Sequence, residues 1–121
     1  MQHNPEFLAL VNDAKKHVRE TDITGYKQML AANVSHILVD TREDNEYAAG
    51  HVKGAVHMSR GTIERDIETE YPDKSATLVL YCGGGFRSAL AAESLQKMGY
   101  KNPVSLDGGW RALKESGLEL E

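Results

Sequence analysis

The sequence predicts an α/β domain built on a parallel sheet, and two observations support this. Continuous apolar runs rich in β-branched residues lie at 36–40 (HILVD) and 77–82 (TLVLYC), a pattern typical of strands that are covered on both faces. Helical segments separate these runs from weaker strand candidates at 54–58 and 104–107. Strands that alternate with helices favour parallel pairing through crossover helices. The 121 residues suit a single domain with one core.

The helices are predicted from their caps and their apolar spacing. Asn4 and Pro5 are suited to the cap and first position of an N-terminal helix, and apolar residues follow at helical spacing. A second helix is predicted from a cap at Thr24 to about Asn33. Further helices are predicted at 43–49, 62–71, 88–98 and 110–116, the first, third and last closed by glycine and the second stopped by Pro72.

The composition excludes several classes of function. With a net charge of −4, the chain offers no general attraction for nucleic acid or an anionic membrane. No apolar run approaches the roughly 20 residues that span a bilayer, and the N-terminus lacks the features of a secretory signal. A single cysteine excludes an internal disulfide, and the five histidines show no metal-ligand spacing. We therefore expect a cytoplasmic protein without a metal, a cofactor, a nucleic-acid partner or a membrane partner.

The cysteine lies where a parallel sheet binds its ligands. Asp40, Cys82 and Asp107 fall at the carboxyl ends of predicted strands. The glycines 83–85 can adopt positive φ and turn their N–H groups inward, and a helix starting near Arg87 adds its unpaired amides and dipole. Such surroundings favour a reactive thiolate. The alternative is a buried, inert cysteine, and the loop alone leaves both interpretations open; it lacks the features of a nucleotide-binding loop.

Three ordered motifs resolve this choice. The segments at 37–61 (ILVDTREDNEYAAGHVKGAVHMSRG), 78–100 (LVLYCGGGFRSALAAESLQKMGY) and 104–110 (VSLDGGW) resemble the signatures of single-domain rhodaneses, the thiosulfate sulfurtransferase-like family. The resemblance implies a three-layer fold, with a five-stranded parallel sheet flanked by helices. It divides the chain into an N-terminal helical extension, residues 1–17, and a rhodanese domain, residues 18–119.

The resemblance also implies a mechanism of covalent catalysis. Cys82 would attack the outer sulfur of thiosulfate or of another persulfide, and the resulting Cys82 persulfide would pass that sulfur to cyanide or a thiol. Because the chain has no second cysteine, a relay would continue on another molecule, which predicts a transient protein sulfur carrier beside the small-molecule donor and acceptor. The implied substrate-binding residues are those of the loop, namely Gly83, Gly84, Gly85, Phe86, Arg87 and Ser88.

The length of the cysteine loop and its retained cysteine also argue against the alternative functions. The Cys82-to-Arg87 span is Cys-x4-Arg, one residue shorter than the Cys-x5-Arg loop of related phosphatases and arsenate reductases, which must enclose a tetrahedral oxyanion. A non-enzymatic binding or sulfur-relay module is the other alternative, disfavoured because Cys82 is retained in an intact loop. Thiosulfate-specific members often carry basic side chains inside the loop, whereas here Gly83, Gly84 and Gly85 are bare and only Arg87 supplies charge. We therefore expect weak thiosulfate binding and a persulfide as the physiological donor.

Four residues outside the loop are candidates for the pocket rim: Asp40, Arg42, Arg60 and Trp110. For Asp40 and Arg42 a structural ion pair is the favoured alternative. Arg60 is equally suited to a solvated surface, and a buried tryptophan most often belongs to the core. Glu46, His51 and Gly54 are expected to hold the turn into the next strand.

Overall fold

A computed structural model describes residues 3–121 and contains the predicted five-stranded, all-parallel sheet. The strand order is β1-β5-β4-β2-β3. The strands are β1 (Arg19–Thr21), β2 (Ile37–Asp40), β3 (Val56–His57), β4 (Thr77–Tyr81) and β5 (Asn102–Leu106). The central strand β4 is buried from its second residue onward, as its uninterrupted apolar sequence predicts. The α/β parallel-sheet prediction is confirmed.

Helices cover both faces of this sheet, so that it has two apolar cores. The helices are α1 (Pro5–Lys15), α2 (Ile23–Ala31), α3 (Asp44–Ala49), α4 (Ile63–Glu70), α5 (Phe86–Lys97) and α6 (Gly109–Leu113). Residues of α4 and α5 form one core with the sheet, and residues of α2 and α6 form the other. Helix α1 packs on α5 through the fully buried Val11 and Ala14. No helix within residues 3–121 is long and apolar enough to cross a membrane.

Three local features differ from the sequence predictions. Strand β1 was not predicted, because it is a polar edge strand that pairs with β5 alone. Helix α2 is capped by Asp22, which accepts a hydrogen bond from the amide of Gly25 at 2.8 Å, and not by Thr24. Helix α5 starts at Phe86, one or two residues before the predicted start at Arg87 to Ser88, because Gly85 adopts the left-handed conformation that lets the helix begin directly after it. The helix N-terminus therefore lies closer to Cys82 along the chain than predicted.

Candidate active site

The sulfur of Cys82 lies between the end of β4 and the start of α5. Its residue is 1% exposed, and the amide of Gly85 donates a hydrogen bond to Sγ over 3.1 Å. The thiol lies 3.5 Å from the hydroxyl oxygen of Ser88, which is 2.8 Å from the hydroxyl of Ser105 on β5. Both serines are fully buried. The sulfur is thus held by one backbone donor and by a pair of hydroxyl groups beneath it.

Amides at the start of α6 orient the cysteine loop by donating hydrogen bonds to the loop's carbonyl groups. The amide of Trp110 donates to the carbonyl of Cys82 at 2.7 Å, and the amides of Arg111 and Gly108 donate to those of Gly83 and Gly84, each at 3.2 Å. In a trans peptide group the carbonyl and the following N–H point in opposite directions. The N–H groups of residues 83–85 therefore point away from α6, and the last of them reaches the sulfur.

The glycines of this region have different structural roles. Only Gly85 of the three loop glycines has a positive φ, at 105°, so the expectation of positive φ holds for that residue alone. Gly109 on α6 has φ 48°, and a Cβ placed there would lie 2.3 Å from the carbonyl oxygen of Cys82. The "DGGW" motif is therefore required for the close contact between α6 and the loop.

An open cavity of about 670 Å³ borders Cys82. Loop residues 83, 84, 86 and 87 contribute to its lining, as does Trp110 among the predicted rim residues. The remaining lining residues are His3, Phe7, Glu46, Arg111 and Lys114. Ser88 is absent from this lining, because its side chain lies under the sulfur and has no exposed surface.

Arg87 lies beside the cavity but is held by Glu46 of α3. Its two terminal nitrogens lie 2.9 and 3.3 Å from the two carboxylate oxygens. The hydrogen bond from Arg87 lowers the pKa of Glu46, and the same bond raises the pKa of Arg87. Because both terminal nitrogens face the carboxylate in this bidentate pair, the guanidinium does not enclose the sulfur as an oxyanion clamp would.

Asp40 and Arg42 form a buried ion pair and do not line the cavity. Arg42 Nη2 lies 2.7 Å from Asp40 Oδ2, and the two side chains have 4% and 0% of their surfaces exposed. Burial acts to lower the pKa of Arg42, but the hydrogen bonds and charge of Asp40 outweigh it and raise that pKa. The Arg42 guanidinium also lies 4.5 Å from the ring centre of Trp110. The pair therefore supports one wall of the cavity from behind.

Arg60 also lies outside the cavity lining and pairs with Glu64 at 3.0 Å. Of the residues expected to hold the turn before β3, His51 stacks on Tyr47 with ring centres 3.7 Å apart, and Gly54 has a φ of 87°. Glu46 completes a capping box at the start of α3 by accepting from the amide of Glu43. Its carboxylate therefore fixes both the helix start and Arg87.

One group within residues 3–121 has the residue types and spacing to hold a metal ion, namely Asp13, His17 and Glu93. The imidazole Nδ1 of His17 is already 3.1 Å from a carboxylate oxygen of Glu93, and His17 is more than half exposed. This geometry is an exposed ion-pair cluster between α1 and α5, and we assign it no metal.

Several residues of the site were not identified from the sequence. Ser105, which is buried and bonds Ser88, lies between two buried apolar residues of β5. A polar residue at an alternate position of an otherwise apolar strand is the signal that could have indicated it. Arg111 and Lys114 follow the "DGGW" motif at helical positions. His3 and Phe7 carry no such signal, since only the packing of α1 brings them next to the loop.

The sheet order and the cysteine loop together define a small parallel α/β protein whose thiol is held at the N-terminus of a helix. This chain belongs to the rhodanese family: the family profile of the rhodanese-like domain matches residues 22–116. The resemblance inferred from the motifs is therefore confirmed, and so is the rhodanese-like fold.

Relatives with known names include sulfurtransferases. The Bacillus subtilis protein "Putative sulfurtransferase YtwF" is 34% identical over 95 residues, which cover 78% of this chain and 89% of that protein. The Escherichia coli thiosulfate sulfurtransferase PspE is 34% identical over 70 residues, 58% of this chain and 67% of PspE. A solved structure from Rhodopseudomonas palustris, described as a protein of unknown function and possible tyrosine phosphatase, has a TM-score of 0.84 at 26% identity and covers 100% of this chain and 98% of its own.

Proposed function

We propose that this protein is a sulfurtransferase that carries sulfane sulfur as a persulfide on Cys82. The observation that carries the proposal is the orientation of the loop, whose carbonyls bind α6 so that its amides point away from that helix and one of them reaches the sulfur. Preorganised N–H donors of this kind stabilise an anion without reorganisation. The family and the named relatives support the same chemistry.

The proposed reaction has two balanced displacements. The Cys82 thiolate attacks the outer sulfur of thiosulfate, the S–S bond of thiosulfate breaks, and sulfite leaves with the electron pair. Cyanide or a thiolate then attacks the terminal sulfur of the persulfide, and the Cys82 thiolate leaves. Because a thiolate can only accept a hydrogen bond, the Ser88 hydroxyl, 3.5 Å from the sulfur, would donate to it and would accept from the Ser105 hydroxyl, whose oxygen is 2.8 Å away. With an organic persulfide as donor, the leaving group is a thiolate in place of sulfite.

Intact mass measurement tests this proposal directly. Incubation with thiosulfate or an organic persulfide is expected to add one sulfur atom to the wild-type chain, and cyanide is expected to remove it. The Cys82→Ser variant is the matched control and should gain nothing. If the wild type gains no sulfur from either class of donor, the proposed function is wrong. Turnover with excess acceptor distinguishes an enzyme from a carrier that is loaded only once.

We further propose that an organic persulfide, and not thiosulfate, is the preferred donor. A side chain at Gly84 would meet no atom within 4 Å, and its φ is outside the left-handed region. Gly84→Lys should therefore place a cation in the loop and lower the KM for thiosulfate, whereas Gly84→Gln should not. A low-micromolar KM for thiosulfate in the wild type would contradict weak thiosulfate binding. Equal KM values in the wild type and both variants would contradict the missing positive charge as its cause.

A phosphatase is the second candidate, because the Rhodopseudomonas structure carries that description. The short Cys82-to-Arg87 span and the engagement of Arg87 by Glu46 both argue against it. Release of phosphate from an aryl phosphate, lost in Cys82→Ser, would favour the phosphatase instead.

A further inference from the structure

The N-terminal helix lies before the residues that match the family profile, yet it contacts the cysteine loop. The match begins at residue 22, and α1 covers Pro5–Lys15. The imidazole of His3 lies edge-on to Phe86, with ring centres 4.7 Å apart, and Phe7 lies 6.2 Å from the same ring. These three rings form a cluster that we call the aromatic wall.

The aromatic wall is on the same cavity as Cys82. His3, Phe7 and Phe86 all line the cavity that borders the cysteine. Its volume of about 670 Å³ lies within the range of small-molecule sites. Cyanide and thiosulfate are polar ions of a few atoms, and neither makes use of a wall of three rings. The wall instead offers contact area to an organic group attached to the reacting sulfur.

The cavity lining also includes two cations, Arg111 and Lys114. Neither forms an ion pair with a carboxylate of residues 3–121. The one carboxylate among the lining residues is Glu46, which is neutralised by Arg87. The lining therefore has an uncompensated positive charge, whereas the whole chain has a net charge of −4. An anionic group on the organic substrate would be attracted to these two cations.

From these observations we propose that the preferred sulfur acceptor is a small organic thiol that carries a carboxylate, with His3, just before α1, and Phe7, on α1, as the specificity-determining residues. This inference rests on the proposed sulfur transfer. The acceptor thiolate attacks the terminal sulfur of the Cys82 persulfide, a new S–S bond forms, and Cys82 leaves as a thiolate. The apolar part of the acceptor contacts the aromatic wall, and its carboxylate lies towards Arg111 and Lys114.

Single-turnover transfer from the preloaded persulfide tests this assignment. The acceptors are 4-(mercaptomethyl)benzoate, its neutral carboxamide and cyanide, and the readout is the loss of one sulfur from the intact mass. His3→Ala and Phe7→Ala should each lower the rate constant for the benzoate thiol by roughly three- to tenfold, the range that aromatic contacts supply. Their rate constants for cyanide should change less than about twofold.

Leu10→Ala is the matched control, because Leu10 is an apolar residue of α1 that is 57% exposed and does not line the cavity. It should leave all three rate constants unchanged. The double variant Arg111→Gln/Lys114→Gln should slow the benzoate thiol more than its carboxamide. Because Phe7 is half-buried, circular dichroism is used to check that the Phe7→Ala variant is folded. His3 precedes the helix, so the His3→Ala variant tests the same assignment without altering α1.

Two failures of this experiment are distinguishable. If the wild type takes up no sulfur before an acceptor is added, the proposed function fails, and the acceptor assignment fails with it. If the wild type is loaded but the His3 and Phe7 variants slow cyanide and the organic thiols equally, or slow neither, only the acceptor assignment is overturned. If the double variant lowers the rate constants for the benzoate thiol and for its carboxamide by the same factor, recognition of the carboxylate by Arg111 and Lys114 is overturned.

Discussion

Replacement of Gly109 by alanine should disrupt the cysteine loop and lower stability at the same time. The new Cβ would lie 2.3 Å from the carbonyl oxygen of Cys82 and 2.9 Å from the carbonyl carbon of Gly83. Both are backbone atoms, so a side-chain rotation cannot relieve the clash. Helix α6 would have to move away from the loop, and the hydrogen bonds from Trp110 and Arg111 to the loop carbonyls would be lost.

The expected cost follows from two contributions. An alanine in the left-handed region costs roughly 1–2 kcal/mol, and two lost backbone hydrogen bonds cost about 1 kcal/mol each. The free energy of unfolding should therefore fall by about 3–4 kcal/mol, a large part of the roughly 5–15 kcal/mol typical of a domain. Gly99→Ala is the matched control, because Gly99 has a φ of 97° and a Cβ added there would have no atom within 4 Å.

Urea unfolding followed by far-UV circular dichroism measures both variants, with linear extrapolation to water. Gly99→Ala should lose only the conformational contribution of about 1–2 kcal/mol. Persulfide loading should be strongly slowed in Gly109→Ala under conditions where it is still folded, and should be normal in Gly99→Ala. The reasoning is refuted if the two variants are equally stable and load equally fast, because contact between α6 and the loop would then have no energetic consequence.

Two further predictions concern the groups around the sulfur. Ser105→Ala should slow persulfide loading several-fold and cost about 1 kcal/mol of stability, because Ser88 loses its buried partner; unchanged single-turnover loading would show that Ser105 does not act on the sulfur through Ser88. Glu46→Gln should lower stability near neutral pH by less than about 1 kcal/mol, since the pair with Arg87 is partly exposed. The hydrogen bond from Arg87 lowers the pKa of Glu46 in the folded state. Its contribution to the free energy of unfolding is therefore present above the ordinary glutamate pKa and is lost as the pH falls through the pKa of the folded state. Urea titrations should therefore show the wild-type advantage shrinking in acid, and an advantage that is independent of pH would contradict this origin.

The order of strands and helices was predictable because most of its signals are local in sequence. Strand β4 is an uninterrupted apolar run, and the glycines after Cys82 mark the turn into α5. Strand β1 was not predictable in this way, because Arg19–Thr21 is a polar edge segment whose pairing with β5 is backbone hydrogen bonding between residues distant in the chain. Edge strands of this kind lack the apolar pattern that identifies central ones.

The candidate site was predictable only in its contiguous part. The loop from Cys82 onward follows from its motif, but the partners of its carbonyl groups lie on α6 and could not be assigned from the order of residues. The contact of His3 with Phe86 depends on the packing of α1 over α5. For Arg42 the sequence left two roles open, ligand binding at the pocket rim and a structural ion pair with Asp40, and the structure contains the ion pair, which was the favoured alternative.

In the proposed site the backbone stabilises the sulfur, which explains why three glycines follow Cys82. If the loop amides stabilise the persulfide, then this part of the stabilisation depends on the backbone and on α6, whose amides hold the carbonyls, and no side chain is required at the three glycines. Under the proposed acceptor assignment, recognition of the acceptor is left to the side chains of the aromatic wall and to the cations Arg111 and Lys114. Because His3 and Phe7 contact Phe86, substitutions at these two positions are expected to change the choice of acceptor more than they change the stability of the persulfide. Under the proposed acceptor assignment, the residues before the family match contribute to acceptor specificity, whereas the chemistry stays at Cys82.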